Sequence, residues 1–423
     1  MDIRDKLRLL ESLPRNKRVV NHRVSTEPNT ALFSQPSGDT VETPVGSFSR
    51  FEKTYALDFR QGTIPLASFL ETPPEVLALV SNTPELSKID IKKTLFVDSE
   101  TTGLSGGAGT CAFLIGAGYF ADTGFCLHQY FMNDFNEEAA LFHELNQLVQ
   151  RFESIVSYNG KSYDIPLLNS RNIYLGTRSP FPDILHLDLL HAVRKLWSHR
   201  LPNCSLQTAE AAVLGVSRHG DIPGHLIPGK YFDYLRRRDF ATMKPVLYHN
   251  QQDILSMVAL SIQVSRVVQS PRQMCHDSLD ALKVGRIFEQ CERYRESNEL
   301  YEHVLAQSPD GVSRRDLLFR LALNHKRMNN WHEAARVWHR CLDRERYHPL
   351  PYIELAKHYE HRVRNYLQAK TLVAKALTEL EVLETIRKLQ HWTVYKADLE
   401  YRLRRLVGKL DGKPCGARAS AEN

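Results

Sequence analysis

No apolar run in this 423-residue sequence approaches the ~18 residues that a membrane-crossing helix needs; the longest candidate, Ala112–Gly118, is short and punctuated by glycine. A membrane span is therefore not expected. The first residues, Met1-Asp-Ile-Arg-Asp-Lys6, lack the apolar core of a secretory leader, so a cytoplasmic protein is expected. Disulfides and zinc ribbons are equally poorly supported, because the seven cysteines are odd in number, scattered, and never spaced C-x-x-C. Charge of one sign is scarce too, with 55 Lys and Arg against 49 Asp and Glu. At 42% hydrophobic and 25% charged, the chain is neither disordered nor collagen-like throughout. Its length implies two or three domains at roughly 100–200 residues each.

The small charge excess is not evenly spread. Residues 271–423 hold 28 Lys and Arg against 21 Asp and Glu, which leaves residues 1–270 with 27 against 28. A basic C-terminal part is compatible with holding a polyanion and equally with an ordinary solvated helical surface. Along the chain, residues 1–50 carry one short helical pattern, Ile3, Leu7, Leu10 and Leu13, and then a polar stretch, and read as a flexible N-terminal arm. A strand rhythm follows over Thr94–Glu100, Cys111–Phe120 and Phe125–Phe131, as three hairpin-linked antiparallel strands. A helix over Glu137–Phe152, with Asn136 as its cap, and a strand over Ser154–Tyr158 come next. From Ser278 onward the pattern is helical. Gly285, Phe288, Ser297, Tyr301 and Pro309 fit one tetratricopeptide repeat; Ala322, His325, Ala334 and Trp338 fit a second; Ala356 and Tyr359 begin a third. Glu379–Leu410 reads as a capping helix. The expected domains are 51–269 and 278–410, with a disordered tail over 411–423.

The chemistry-bearing residues lie in three places. In Leu95-Phe-Val-Asp98-Ser-Glu100-Thr-Thr-Gly-Leu104 two carboxylates two residues apart project to one face of a strand end. Mutual repulsion makes that pairing unfavourable without a cation, and a hard divalent metal is the usual answer. In Asn159-Gly-Lys-Ser-Tyr163-Asp164, Asp164 opens a helix at the end of a strand and turn. Alone it reads as a helix cap worth about 0.5–2 kcal/mol. In Tyr248-His249-Asn250-Gln-Gln-Asp253, His249 and Asp253 stand one helical turn apart on one face, so His249 is placed to take a proton from water beside a liganding carboxylate. Other features leave two readings open. The Gly106–Gly109 turn, Lys161, and the basic residues Arg194, Lys195, Arg200 and Arg236–Arg238 suit phosphate contact or a solvated surface. His186 and Asp188 read as structural.

Together Asp98-x-Glu100, Asn159-x-x-x-Tyr163-Asp164 and the helical Asp253 resemble the three motifs of the DEDD superfamily of ribonuclease H-like 3′→5′ exonucleases. Gly106-Gly107-x-Gly109-Thr110, Asp188-Leu-Leu-His191, Asp221-Ile-Pro-Gly224, Ile227-Pro228 and Tyr231 look more narrowly like the YprB-like ribonuclease H-like family, over residues 50–265. The resemblance implies an α/β ribonuclease H-like domain, a mixed sheet with flanking helices, followed by an all-α tetratricopeptide-like domain. It also implies a metal-dependent 3′→5′ exonuclease acting on single-stranded or frayed RNA or DNA. Asp98, Glu100, Asp164 and Asp253 would hold two Mg²⁺ or Mn²⁺ ions and His249 would serve as base, although Tyr248 occupies the position at which better-studied exonucleases place a histidine. The competing reading is a catalytically vestigial scaffold that binds nucleic acid or a protein partner through its repeats.

Overall fold

The computed structural model describes residues 38–103, 109–275, 277–307, 312–344, 347–387 and 393–411. Most of the expected arm, the turn residues Gly106 and Gly107, Pro309 and the tail beyond 411 lie outside them. Seven strands form one mixed sheet: β1 Asp39–Thr43, β2 Gly46–Tyr55, β3 Thr94–Thr101, β4 Ala112–Ala121, β5 Gly124–Phe131, β6 Ser154–Ser157 and β7 Leu185–Asp188. Their order is β1-β2-β5-β4-β3-β6-β7. Neighbours from β1 to β3 run antiparallel, whereas β6 lies parallel to both β3 and β7.

β1 begins at Asp39, so the chain is strand over part of the span 1–50 expected as an arm. Polar residues hide the first hairpin, because β1 sits at the sheet edge with exposed side chains and only Phe48 and Ser49 of the early β2 are buried. Gly46, at φ +131°, turns that hairpin in a region open to glycine. β2 stops at Tyr55.

Helices cover both faces. On one, α2 (Glu138–Val149) packs Ala140, Leu141 and Leu145 onto Leu95, Val97, Phe113 and Ile115 of the sheet. Its approach is capped by Asp134, which accepts the Phe135 N–H at 2.8 Å, rather than by Asn136. On the other face, α1 (Pro74–Ser81), α4 (Leu189–Trp197) and the 26-residue α6 (Lys244–Gln269) pack against Phe96, Phe120 and Phe125. Between them in sequence lie α3 (Asp164–Tyr174) and α5 (Ile227–Arg237), whose Tyr231 ring stacks on Phe113 at 4.0 Å.

Antiparallel helices complete the chain: α7 Ser278–Gln290, α8 Tyr294–Gln307, α9 Arg314–Arg327, α10 Trp331–Arg344, α11 Pro349–His358, α12 Tyr366–Arg387 and α13 Thr393–Leu410. Where one capping helix was expected over 379–410, two are present. Gly285 of α7 is pressed against Tyr301 of α8, where a Cβ would stand 2.8 Å from the ring. The boundary expected near 269–278 is crossed by apolar packing: Val284, Ile287, Phe288 and Leu300 join the same buried cluster as α1, α4 and α6. The reason is visible in α7, which buries Val284 and Ile287 there while Ala281 and Leu282 pack among the following helices.

Candidate active site

β3 is buried from Thr94 to Val97 and opens at Asp98. With a side-chain period of two, Phe96, Asp98 and Glu100 share the face beneath α6. Phe96 packs there with Ile254 and Leu255, and the two acids follow where apolar cover ends. The register against β4 slips between Glu100 and Thr101, an irregularity of the kind that re-aims a strand at its exit.

Close approach of α6 to β4 depends on glycine. Gly116 is the cross-strand partner of Asp98, and a Cβ on it would stand 2.8 Å from Asn250 Nδ2. At Gly118 a Cβ would come within 2.6 Å of Ile254 Cγ2. In the space so left, the buried Asn250 donates to Asp98 Oδ2 at 2.9 Å and accepts from Gln129 Nε2 at 2.9 Å. One residue earlier, His249 directs Nε2 toward Asp253 Oδ2 at 3.6 Å and Glu100 Oε1 at 3.9 Å. Its Nδ1 lies 2.8 Å from Asp221 Oδ1. Glu100, His249 and Asp253 each offer a ligand atom, all within 4.8 Å of one another. Tyr248 is turned about 100° around the helix from His249.

Asp164 arrives from the other side, as the first residue of α3. The turn before it is held by Asp188, whose carboxylate accepts the Asn159 N–H at 2.8 Å, the Lys161 N–H at 3.1 Å and the Leu190 N–H at 3.0 Å. Asp188 is thus a turn clamp and the cap of α4, and His186 meets Ser157 Oγ at 2.7 Å. Ser99 donates its hydroxyl to Asp164 Oδ1.

The charges resist one another. Burial, then the charges of Asp253 and Asp164, push the Asp98 carboxyl well above its usual range. Glu100 is raised in the same way by burial and by Asp98, Asp253 and Asp164. Asp164 is lifted by burial to about 6, against the hydrogen bond from Ser99. One side chain outside the expected site, Arg218, counters this. Arg218, 5% exposed, pairs with Glu210, with Asp221 at 3.1 Å, and with Asp253 Oδ1. Against the effect of burial, the His249 hydrogen bond and the His249 and Arg218 charges hold Asp221 below the ordinary range. An ionised Asp221 can only accept, so His249 donates Nδ1–H to it and turns Nε2 toward the acids. The donor set, carboxylate oxygens with one imidazole, and the repulsion that a cation would relieve both fit a hard divalent metal.

Sequence reasoning had singled out neither Arg218 nor Ser99, whose partners are remote in the chain. Asp221 and Asn250 stood inside motifs quoted for the family resemblance, which was the available signal. Several basic residues offered for phosphate contact have protein partners instead. Lys195 donates to the Val80 carbonyl at 2.7 Å, Arg200 reaches Asp280 at 3.4 Å, and Arg236 and Arg238 pair with Asp233 and Asp134.

Residues 95–265, the span from β3 to α6, match the family model described as RNase_H superfamily. Over 341 residues the chain is 31% identical to the "Uncharacterized protein YprB" of Bacillus subtilis (strain 168), covering 78% of this chain and 81% of that protein. The chain belongs to the YprB family of the ribonuclease H superfamily. Among solved structures, a family B DNA polymerase from Pyrobaculum calidifontis aligns with a TM-score of 0.33 and 17% identity. That alignment covers 48% of this chain and 29% of the polymerase, and nothing about the site is argued from it. In this YprB-family chain the matched span contains every residue of the acid cluster, and among the described residues no helix is long and apolar enough to cross a membrane.

Proposed function

We propose that this YprB-family protein is a cytoplasmic, metal-dependent 3′→5′ exonuclease of DEDD type that hydrolyses single-stranded or frayed nucleic acid. The observation that carries the reading is the convergence of Asp98, Glu100, Asp164 and Asp253, three of them raised by burial, with Nε2 of His249 turned toward Asp253 and Glu100. These four carboxylates would hold two Mg²⁺ or Mn²⁺ ions, which when bound activate water and stabilise the leaving 3′ oxygen. His249 accepts the proton of the attacking water at Nε2, and Asp221 keeps its Nδ1 protonated and its ring oriented. Asn250 and Ser99 fix the rotamers of Asp98 and Asp164 by donating to them. Arg218 takes Oδ1 of Asp253 and leaves Oδ2 facing the cluster. The helical hairpins we read as degenerate tetratricopeptide repeats that take a protein partner.

The alternative, a vestigial scaffold, draws on the ion pair between Arg218 and Asp253. Incubating the full chain with 5′-labelled RNA and DNA in Mg²⁺, Mn²⁺ or EDTA separates the two. A ladder shortening from the 3′ end in metal, absent in EDTA and with Asp98→Asn, is expected; an intact substrate in every arm would refute the nuclease reading, and products from internal cleavage would refute its direction.

A further inference from the structure

Far along the chain from the acid cluster, α9, α10, α11 and α13 enclose a cavity of about 430 Å³ in the helical tail. That size is within the range of small-molecule sites. Its apolar lining is Trp331, Trp338, Ala334 and Ala335, and its cations are Lys326, Lys357, Arg362, Arg402 and Arg405. Ordinary ion pairing does not consume this charge. Glu354 is bonded by Lys326 at 2.6 Å and Lys357 at 2.8 Å. Glu360, directly behind the cavity, is bonded by Arg402 at 3.1 Å, Arg405 at 2.5 Å and Lys409 at 2.7 Å, and Arg402 also lies 3.8 Å from Asp398. Three carboxylates thus face six cations, because Arg362 adds a charge with no acid opposite it: its guanidinium lies over the Trp331 ring at 4.2 Å. Among the lining residues, His358 Nδ1, Arg402 Nε and Arg405 Nε are buried without a hydrogen-bond partner.

We propose that this cavity binds a nucleotide unit, with the base against the Trp331 indole and the phosphate among Arg362, Lys357 and Arg405. An anion alone would be served by the cations, but the indole walls and a volume of about 430 Å³ suit a flat ring carrying that anion. Stacking on an aromatic face beside a guanidinium is the usual way of holding a base without reading its sequence. The surplus of three positive charges selects a phosphate-bearing nucleoside over a neutral one. The unit is either a free mononucleotide or the end of a strand. The proposal stands independently of the nuclease reading, because none of its residues belongs to the acid cluster.

The test titrates the full chain, in EDTA, with adenosine 5′-monophosphate, adenosine, inorganic phosphate, a five-nucleotide oligomer and a penta-glutamate peptide. Tryptophan fluorescence and calorimetry report binding. The monophosphate is expected to bind saturably and at least roughly tenfold more tightly than adenosine or phosphate, and Trp331→Ala or Arg362→Glu to weaken it by roughly tenfold, the scale of one lost stacking contact. Arg362 is exposed, so Arg362→Glu is expected to fold, and Arg362→Lys to restore part of the affinity. Tighter binding of the oligomer than of the monophosphate assigns the cavity to a strand end, and weaker binding assigns it to a free nucleotide. Equal affinity for monophosphate and phosphate, insensitivity to both substitutions, or stronger binding of the peptide than of the monophosphate would each overturn the proposal.

Discussion

Replacing Asp164 with asparagine should make the metal-free protein more stable while abolishing metal-dependent hydrolysis. Burial lifts the Asp164 carboxyl from 3.8 to about 6, so the folded state holds its proton more tightly than the unfolded chain does. Below pH 3.8 both states carry the proton and the group is neutral in its effect. Between 3.8 and 6 the unfolded chain ionises first, and the folded state is progressively penalised. Above 6 the penalty is complete, about 3 kcal/mol at 1.36 kcal/mol per pH unit. Asparagine keeps an oxygen for the Ser99 hydroxyl and removes that penalty, but it also removes a favourable charge in the first turn of α3, worth about 0.5 kcal/mol. A net gain of about 2.5 kcal/mol corresponds to a Tm roughly 3 °C higher in a chain of this size, at about 2.1 cal/mol/K of unfolding entropy per residue. Calorimetric melts in EDTA at pH 7.5 and pH 3.5 measure it: the gain should be present at the first and absent at the second. Adding Mn²⁺ should raise the wild-type Tm more than that of the variant. A variant melting below wild type at pH 7.5 would mean that the carboxylate is a structural cap and that its burial carries no net penalty.

Three further outcomes are expected. His249→Ala should slow single-turnover hydrolysis by roughly 10²–10⁴-fold, the usual contribution of a positioned base, with Tyr248→Phe close to wild type; the reverse ranking would move the role to Tyr248. Arg218→Met leaves Glu210, Asp221 and Asp253 without their shared cation and should destabilise the fold by about 3–5 kcal/mol, read as a lowered urea midpoint, with Glu210→Gln restoring part of it. A chain ending at Gln269 should be aggregation-prone because α6 loses the cover of Val284, Ile287, Phe288 and Leu300, whereas one ending near residue 308 should remain monomeric by light scattering; equal solubility of the two would show that the shared packing is dispensable.

The parts of the fold with strong periodicity were readable from sequence. β3, β4 and β5 announce themselves by apolar and aromatic runs between turns, and α6 by a stripe that places His249 and Asp253 on one face. The first hairpin did not, since an edge strand wetted on both sides needs no apolar alternation and Asp39–Thr43 has almost none. Asp98 and Glu100 were legible because period two places them together by local geometry. Arg218 was illegible for the opposite reason: it meets Asp253 only after the chain between them has folded into α5 and turned back, and a lone arginine in a polar loop looks like solvent-exposed charge. The packing across the junction at 269–278 was not legible because the stripe on α7 satisfies a repeat template and a second core at once, and a template match does not say which neighbour an apolar residue touches.

The length of α6 has a mechanical consequence. At 1.5 Å per residue its 26 residues form a rod of about 39 Å. His249 sits about 28 Å along that axis from Val268, which lies in the same buried cluster as Phe288 and Leu300 of the tail. The imidazole and the first helical hairpin are therefore mounted on one shaft. A tilt of a few degrees at the tail end would displace His249 by an ångström or more relative to β3, unless α6 bends, and the close fit of Asn250 against Gly116 leaves little room for such play. Exchanging the tail between relatives would then amount to realigning the site, and a transplanted hairpin would have to reproduce how Phe288 and Leu300 pack at the Val268 end of the shaft as well as their apolar character.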